Sequence, residues 1–179
     1  GRRVPVDTVS PAVFSIALLR RYDGYTFAPR VRAFKTGCAD GYVGTVMSLV
    51  NTAIGRVFAA YLSDDVLIGL LAQESIRLAG ANAADVVVSA KKAAPSLAHT
   101  YQARRTKVMA DGIDNALDAP VPGIGTLAAP VFDHTGSIAL VVALIGPSGS
   151  FDHSFDGATA QKLLAATRRL SWRFGWIGG

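Results

Sequence analysis

The 179-residue chain contains one cysteine, one glutamate, two methionines and three histidines. A lone Cys38 excludes an internal disulfide and fits a reducing compartment. His99, His134 and His153 stand far apart, none with a second His, Cys or carboxylate at a ligand spacing, so no zinc donor set is visible. No metal and no cofactor is expected. The sole glutamate, Glu74, lies on a predicted helix three residues before Arg77 and reads as a solvated helix side chain. Long apolar runs are missing too: Ile138 to Ile145 spans eight residues, against the ~20 a bilayer crossing requires. No charged-then-apolar leader opens the chain. These absences lead us to expect a soluble, cytoplasmic protein without a membrane partner.

Half of the residues are apolar and 17% are charged, a balance that excludes a disordered chain. So much apolar surface on a chain of one-domain length also suggests self-association. The net charge of +5 is uneven. Arg2, Arg3, Arg20, Arg21, Arg30, Arg32 and Lys35 gather in the first 35 residues against only Asp7 and Asp23. A nearby nucleic acid would explain this basic end, and so would a solvated strand face. Without interleaved aromatics these side chains make no specific nucleic-acid site.

Ser15 to Arg21 and Tyr25 to Ala33 are β-rich segments around Asp23-Gly24, a strong hairpin signal because both turn residues tolerate positive φ. A third strand is predicted over Tyr42 to Leu49. Thr52 to Leu62 has helical apolar spacing, with Asn51 or Thr52 as its cap. Ser63 begins a second helix, Asp64 and Asp65 occupy its positive first turn, and Gly80 closes it. Val86 to Val88 reads as a loop or short strand. Pro95 starts a third helix to about Met109, with Arg104, Arg105 and Lys107 on its wet side. Thr126 to Phe132 and Ser137 to Ile145 predict a hairpin buried on both faces. Asp156 then caps a last helix, which runs through Phe174 and ends at Gly175. Hairpin signals at both ends predict an α+β single domain, an antiparallel sheet with helices beside it.

No catalytic constellation accompanies this pattern. Nothing points to a base that would activate Cys38, which reads equally as a small buried side chain. Gly123-Ile124-Gly125 lacks the third glycine and the helix N-terminus of a phosphate loop. Gly146-Pro147-Ser148-Gly149 lacks the strand–elbow–helix context of a nucleophilic serine. The chain is therefore not expected to be an enzyme. The surviving rival is a small-substrate hydrolase or lyase acting through Cys38 or His99.

Three stretches together resemble the C-terminal effector-binding domain of the IclR family of bacterial transcription regulators. The first is Asn51-Thr52-Ala53-Ile54-Gly55-Arg56-Val57-Phe58-Ala59-Ala60-Tyr61, similar to the family's helix start. The second is Leu127-Ala128-Ala129-Pro130-Val131-Phe132-Asp133 with Gly136 and Gly146-Pro147, like the family's Ala-Ala-Pro-Val-Phe-Asp hairpin. The third is Leu170-Ser171-Trp172-Arg173-Phe174-Gly175-Trp176. The resemblance covers nearly all of residues 1–179 and implies a GAF-like fold, a six-stranded antiparallel sheet flanked by helices. It also implies a winged helix-turn-helix DNA-binding domain, which nothing in residues 1–15 resembles. The chain is thus expected to be a sensor module that meets DNA only through that absent domain and assembles as a homodimer or homotetramer.

By the same resemblance, ligand-facing positions fall near Met47, at Ala53 and Ile54, near Ala116, at Thr126, and at Ala143 and Ile145. Relatives that bind small oxo-acids tend to present Asp, Cys and Ser at several of these. Here most are Ala or Ile, and an unpartnered buried carboxylate would be costly. The expected effector is a mainly apolar or aromatic small molecule, oriented by Thr126 and by Asn51 or Thr52. A shift of one or two residues near Ala116 would bring Asp114, Asn115 or Asp118 inward instead. A dimerisation module that has lost its ligand is the alternative.

Overall fold

The computed structural model describes residues 15–22, 26–32, 48–79 and 84–178. Two strands come first, β1 (Ser15–Tyr22) and β2 (Thr26–Arg32). Three helices follow, α1 (Ala53–Ala60), α2 (Asp64–Ala79) and α3 (Ala84–Asp111). The chain then forms β3 (Asp114–Leu117), β4 (Ile124–Phe132), β5 (Ile138–Pro147) and α4 (Ala158–Arg173). The strands form one antiparallel sheet in the order β2-β1-β5-β4-β3. The Asp-Gly hairpin thus joins the central hairpin through β1 against β5, with Ala17 opposite Ala143.

Successive side chains in a strand point to opposite faces, and both faces of the β4–β5 hairpin are covered. On one face Ala116, Ala128, Val141 and Ala143 share a core with α1, α2 and α3, including Val57, Phe58, Leu67, Leu71 and Val108. On the other, Leu127, Ala129, Val131 and Val142 pack with Ile113, Phe151, Ala160 and Leu163 beneath α4. The central hairpin is buried on both faces, as its unbroken apolar runs predict.

Helix α1 opens on Thr52, whose Oγ1 accepts from the Gly55 N–H at 3.0 Å and donates to the Ser48 carbonyl at 2.7 Å. A Cβ at Gly55 would lie 1.9 Å from that carbonyl oxygen, so only glycine lets the helix start so close to the preceding turn. All of α1 is buried except Arg56. Helix α4 ends as expected, with Gly175 at φ +87°.

Several expectations fail. Of the predicted third strand, residues 42–47 lie outside the described set, and Ser48-Leu49 leads into a turn rather than a strand. Five strands lie among the described residues, and one of them, β3, was not expected. Four residues of Asp-Asn-Ala-Leu carry too little apolar signal to announce a strand; pairing with β4 makes it one. Helix α3 begins at Ala84 and runs through Val86–Val88 and Pro95. Helices normally shun an interior proline because it removes one N–H and crowds the preceding turn. Here Ala94, Tyr101 and Val108, seven apart, are buried along one stripe, and their packing holds the helix together across it. Gly157 rather than Asp156 is the N-cap of α4, without a side-chain bond. Phe174 is exposed at its far end.

Glu74 is not solvated: it is buried and accepts from the Leu49 N–H at 2.8 Å and from the Ser48 hydroxyl. Arg105 is not on the wet side either. Its side chain is 14% exposed, its Nε donates to the Ala60 carbonyl at 2.9 Å, and it also reaches the Leu62 carbonyl and Asp64. It caps the carbonyl end of α1, where a cation is favoured.

Candidate functional site

The register of the sheet gathers the expected ligand-facing positions. Ala116 of β3 lies opposite Thr126 of β4, and Thr126 opposite Ile145 of β5, making one row across three strands. The next row runs Asp114, Ala128, Ala143. Both rows belong to the face on which α1 packs, which brings Ala53 and Ile54 over them. Small side chains at Ala116, Ala128 and Ala143 let the helix approach the sheet closely. Thr126 and Ile145 remain partly accessible, whereas Ala53, Ile54 and Ala143 are buried. Within the Thr126 row Ala116 is buried as well, so Thr126 and Ile145 are its accessible members.

Met47 lies outside the described residues. Asn51 is exposed, with its backbone N–H on the Ser48 hydroxyl at 3.1 Å. Thr52 is buried, and its hydroxyl is committed to the start of α1. Among the polar residues expected to orient a ligand, Thr126 alone is both on the sheet face and free of a described side-chain bond.

The most developed polar feature on this face is a buried carboxylate that sequence reasoning mentioned only as an alternative. Asp114 is fully buried and takes Arg56 Nε on one oxygen at 2.6 Å and Arg104 Nη2 on the other. Arg56 Nη2 also donates to the Asn115 carbonyl at 2.8 Å. The Asn115 side chain points elsewhere, donating to the His153 carbonyl at 2.9 Å. Tyr101 donates its hydroxyl to the Arg56 carbonyl. Burial, with the Asp114 charge second, pushes the Tyr101 phenol well above its ordinary range and keeps it a neutral donor. A carboxylate removed from water needs such partners, and two forked guanidiniums supply them. Asp118 lies on the exposed turn after β3, where its Oδ1 accepts from the Gly123 N–H at 2.8 Å. Of the three acidic or amide side chains near Ala116, only Asp114 therefore faces the α1 side. The signal that could have found it is the strand period: Asp114 and Ala116 are two apart and share a face.

Cys38 lies outside the described residues, and His99 is exposed on α3. Among the described residues no group of three His, Cys, Asp or Glu is placed to hold a metal ion, and no described helix is long and apolar enough to cross a membrane.

The chain belongs to the family described as the bacterial transcriptional regulator IclR C-terminal domain, whose model matches residues 20–172. Among solved structures it is similar to HmgR of Pseudomonas aeruginosa, with 29% identity and a TM-score of 0.70, covering 92% of this chain and 61% of that one. It also shares its fold with an IclR-type regulator from Silicibacter sp. TM1040, at 16% identity and a TM-score of 0.67, over 92% and 61% of the two chains. A regulator from Alicyclobacillus acidocaldarius matches at 18% identity and a TM-score of 0.65, over 90% and 61%. The chain thus spans about three fifths of the length of these relatives. No curated protein matches it.

Proposed function

We propose that this chain is the small-molecule sensor of an IclR-type transcription regulator and that residues 1–179 act as one effector-binding unit on a GAF-like frame of six strands. Its effector is mainly apolar or aromatic. It lies between α1 and the sheet along Ala116, Thr126 and Ile145, with Met47, Ala53, Ile54 and Ala143 forming the wall and Thr126 as the polar handle. Asn51 and Thr52 sit at the mouth, where exposed Asn51 is the better placed to reach a ligand. The observation that carries this reading is the register: three positions from three strands stand side by side on the sheet face that α1, buried but for Arg56, packs against.

The mechanism is linkage. An effector that binds one arrangement of the sensors better than another shifts the population of DNA-binding-competent dimers or tetramers by the difference in its affinities. The partners are the effector, further copies of this chain and, through a winged helix-turn-helix domain, DNA. The protein works in the cytoplasm, without a cofactor and without catalysing a reaction.

Calorimetric titration of the chain against aromatic acids and short oxo-acids tests this reading. The expected result is binding of an apolar or aromatic compound that Thr126→Val weakens by about 3–10-fold, the effect of one neutral hydrogen bond. Tight binding of a small dianion would defeat the apolar pocket, and a chain that binds nothing in such a panel would favour the ligand-free dimerisation module. Light scattering should find a dimer or tetramer; a strict monomer at high concentration would contradict the assembly.

A further inference from the structure

A groove lies apart from the Thr126 row and shares no residue with it. Set between the start of α1 and the middle of α3, it has a volume of about 470 Å³ and is lined by Val50, Arg56, Leu97, Thr100, Tyr101 and Arg104. That volume is within the range of small-ligand sites. Two guanidiniums reach its wall, and the only carboxylate paired with either among the described residues is Asp114 behind them. The cluster therefore carries one positive charge more than it neutralises.

Arg104 is the less committed partner. Its side chain is 39% exposed. Nη2 serves Asp114 and the Asn115 carbonyl, while Nε has no acceptor among the described residues. Arg56, by contrast, is 14% exposed and is held by Asp114, the Asn115 carbonyl and the Val50 carbonyl. The rest of the lining is Val50, the half-exposed Leu97, Thr100, whose hydroxyl donates to the Ser96 carbonyl at 3.0 Å, and Tyr101, whose hydroxyl is turned to the Arg56 carbonyl.

We infer that this groove is an anion site for a small organic monocarboxylate with a flat apolar body, whose carboxylate meets Arg104 while its body lies against Leu97, Val50 and Tyr101. One negative charge balances the cluster; two would overshoot it. A guanidinium fork suits a planar carboxylate better than a point cation does. This inference goes beyond the sensor reading and does not need the Thr126 row to be occupied.

The test is titration of the chain with benzoate, with benzylamine as the cation of matching shape. Benzoate is expected to bind and benzylamine not. Arg104→Gln should weaken benzoate by at least about tenfold, the scale of a charge-assisted bond, and Arg104→Lys, which keeps the charge and loses the fork, should fall between Arg104→Gln and the unchanged chain. Thr100→Glu places a like charge in the groove on an exposed helix position, outside the Asp114 cluster, and should abolish binding even if the Arg104 variants fold poorly. No benzoate binding at millimolar concentration, or binding unchanged in both Arg104→Gln and Thr100→Glu, would overturn the site. If Thr126→Val weakens benzoate while the groove variants do not, the ligand belongs to the sheet-face pocket; the sensor reading then survives and this inference falls.

Discussion

The two faces of the sheet share the β4–β5 hairpin and differ in kind. Beneath α4, Leu127, Val131, Phe151 and Leu163 interlock in a core without a charged side chain. Beneath α1 the sheet offers Ala116, Ala128 and Ala143, and among these small residues sits a buried Asp114 held by two arginines. Large side chains fill their own space and specify a scaffold. Small ones give up packing area, and the helix above must then be located by something else. Here polar anchors do it: Glu74 on the turn before α1, Arg105 on its last carbonyls and Arg56 on the sheet itself. A face held by a few directional bonds at its edges can respond to a ligand; a jigsaw of apolar side chains resists one.

The comparison predicts that the polar face is the more fragile one. Asp114→Ala leaves two guanidiniums facing each other, one of them largely buried, and should cost about 3–5 kcal/mol in urea unfolding. Leu127→Ala, in the dry core, should cost about 2–5 kcal/mol, set by the cavity it leaves. It should leave ligand titrations at the Thr126 row and at the groove unchanged. An effect on binding as large as its effect on stability would erase the distinction between the apolar scaffold face and the polar-anchored one.

Glu74→Gln keeps the shape and removes the charge that receives the Leu49 N–H and the Ser48 hydroxyl, for an expected loss of about 1–3 kcal/mol. Hydrogen exchange should then show faster exchange at Leu49 and in the first turn of α1, with β4 and β5 unaffected; uniform acceleration would mean that Glu74 does not anchor this face in particular. The smallest effect belongs to Trp172, which is 71% exposed on the outer side of α4. Trp172→Ala should change stability by no more than about 0.5 kcal/mol. A loss several times larger in thermal unfolding would place a partner on α4 and end its description as a simple cover.

The parts of the fold that were legible are those written in local periodicity. The two β-rich runs on either side of Asp23-Gly24 do pair. Thr52, Ile54, Val57 and Phe58 announce α1, and the Ala-Ala-Pro hairpin is buried on both faces as its runs require. The extent of α3 was hidden by Pro95, a local stop signal overridden by Ala94, Tyr101 and Val108 packing on the neighbouring helices. β3 was hidden by its brevity.

The site divides the same way. Alternation along β4 and β5 suffices to put Thr126, Ala143 and Ile145 on one face, because a strand's side-chain period is a property of the backbone alone. Which charges would be buried could not be read in this way. Arg56 finds Asp114 across 58 positions and Glu74 finds Leu49 across 25. Arg105 meets the end of α1 across 45. The chain's order determined an antiparallel α+β frame and the apolar character of one face; the fate of its few polar side chains was decided in three dimensions. A buried charge is tolerated only where folding delivers its partners, and most of those partners are distant in the chain.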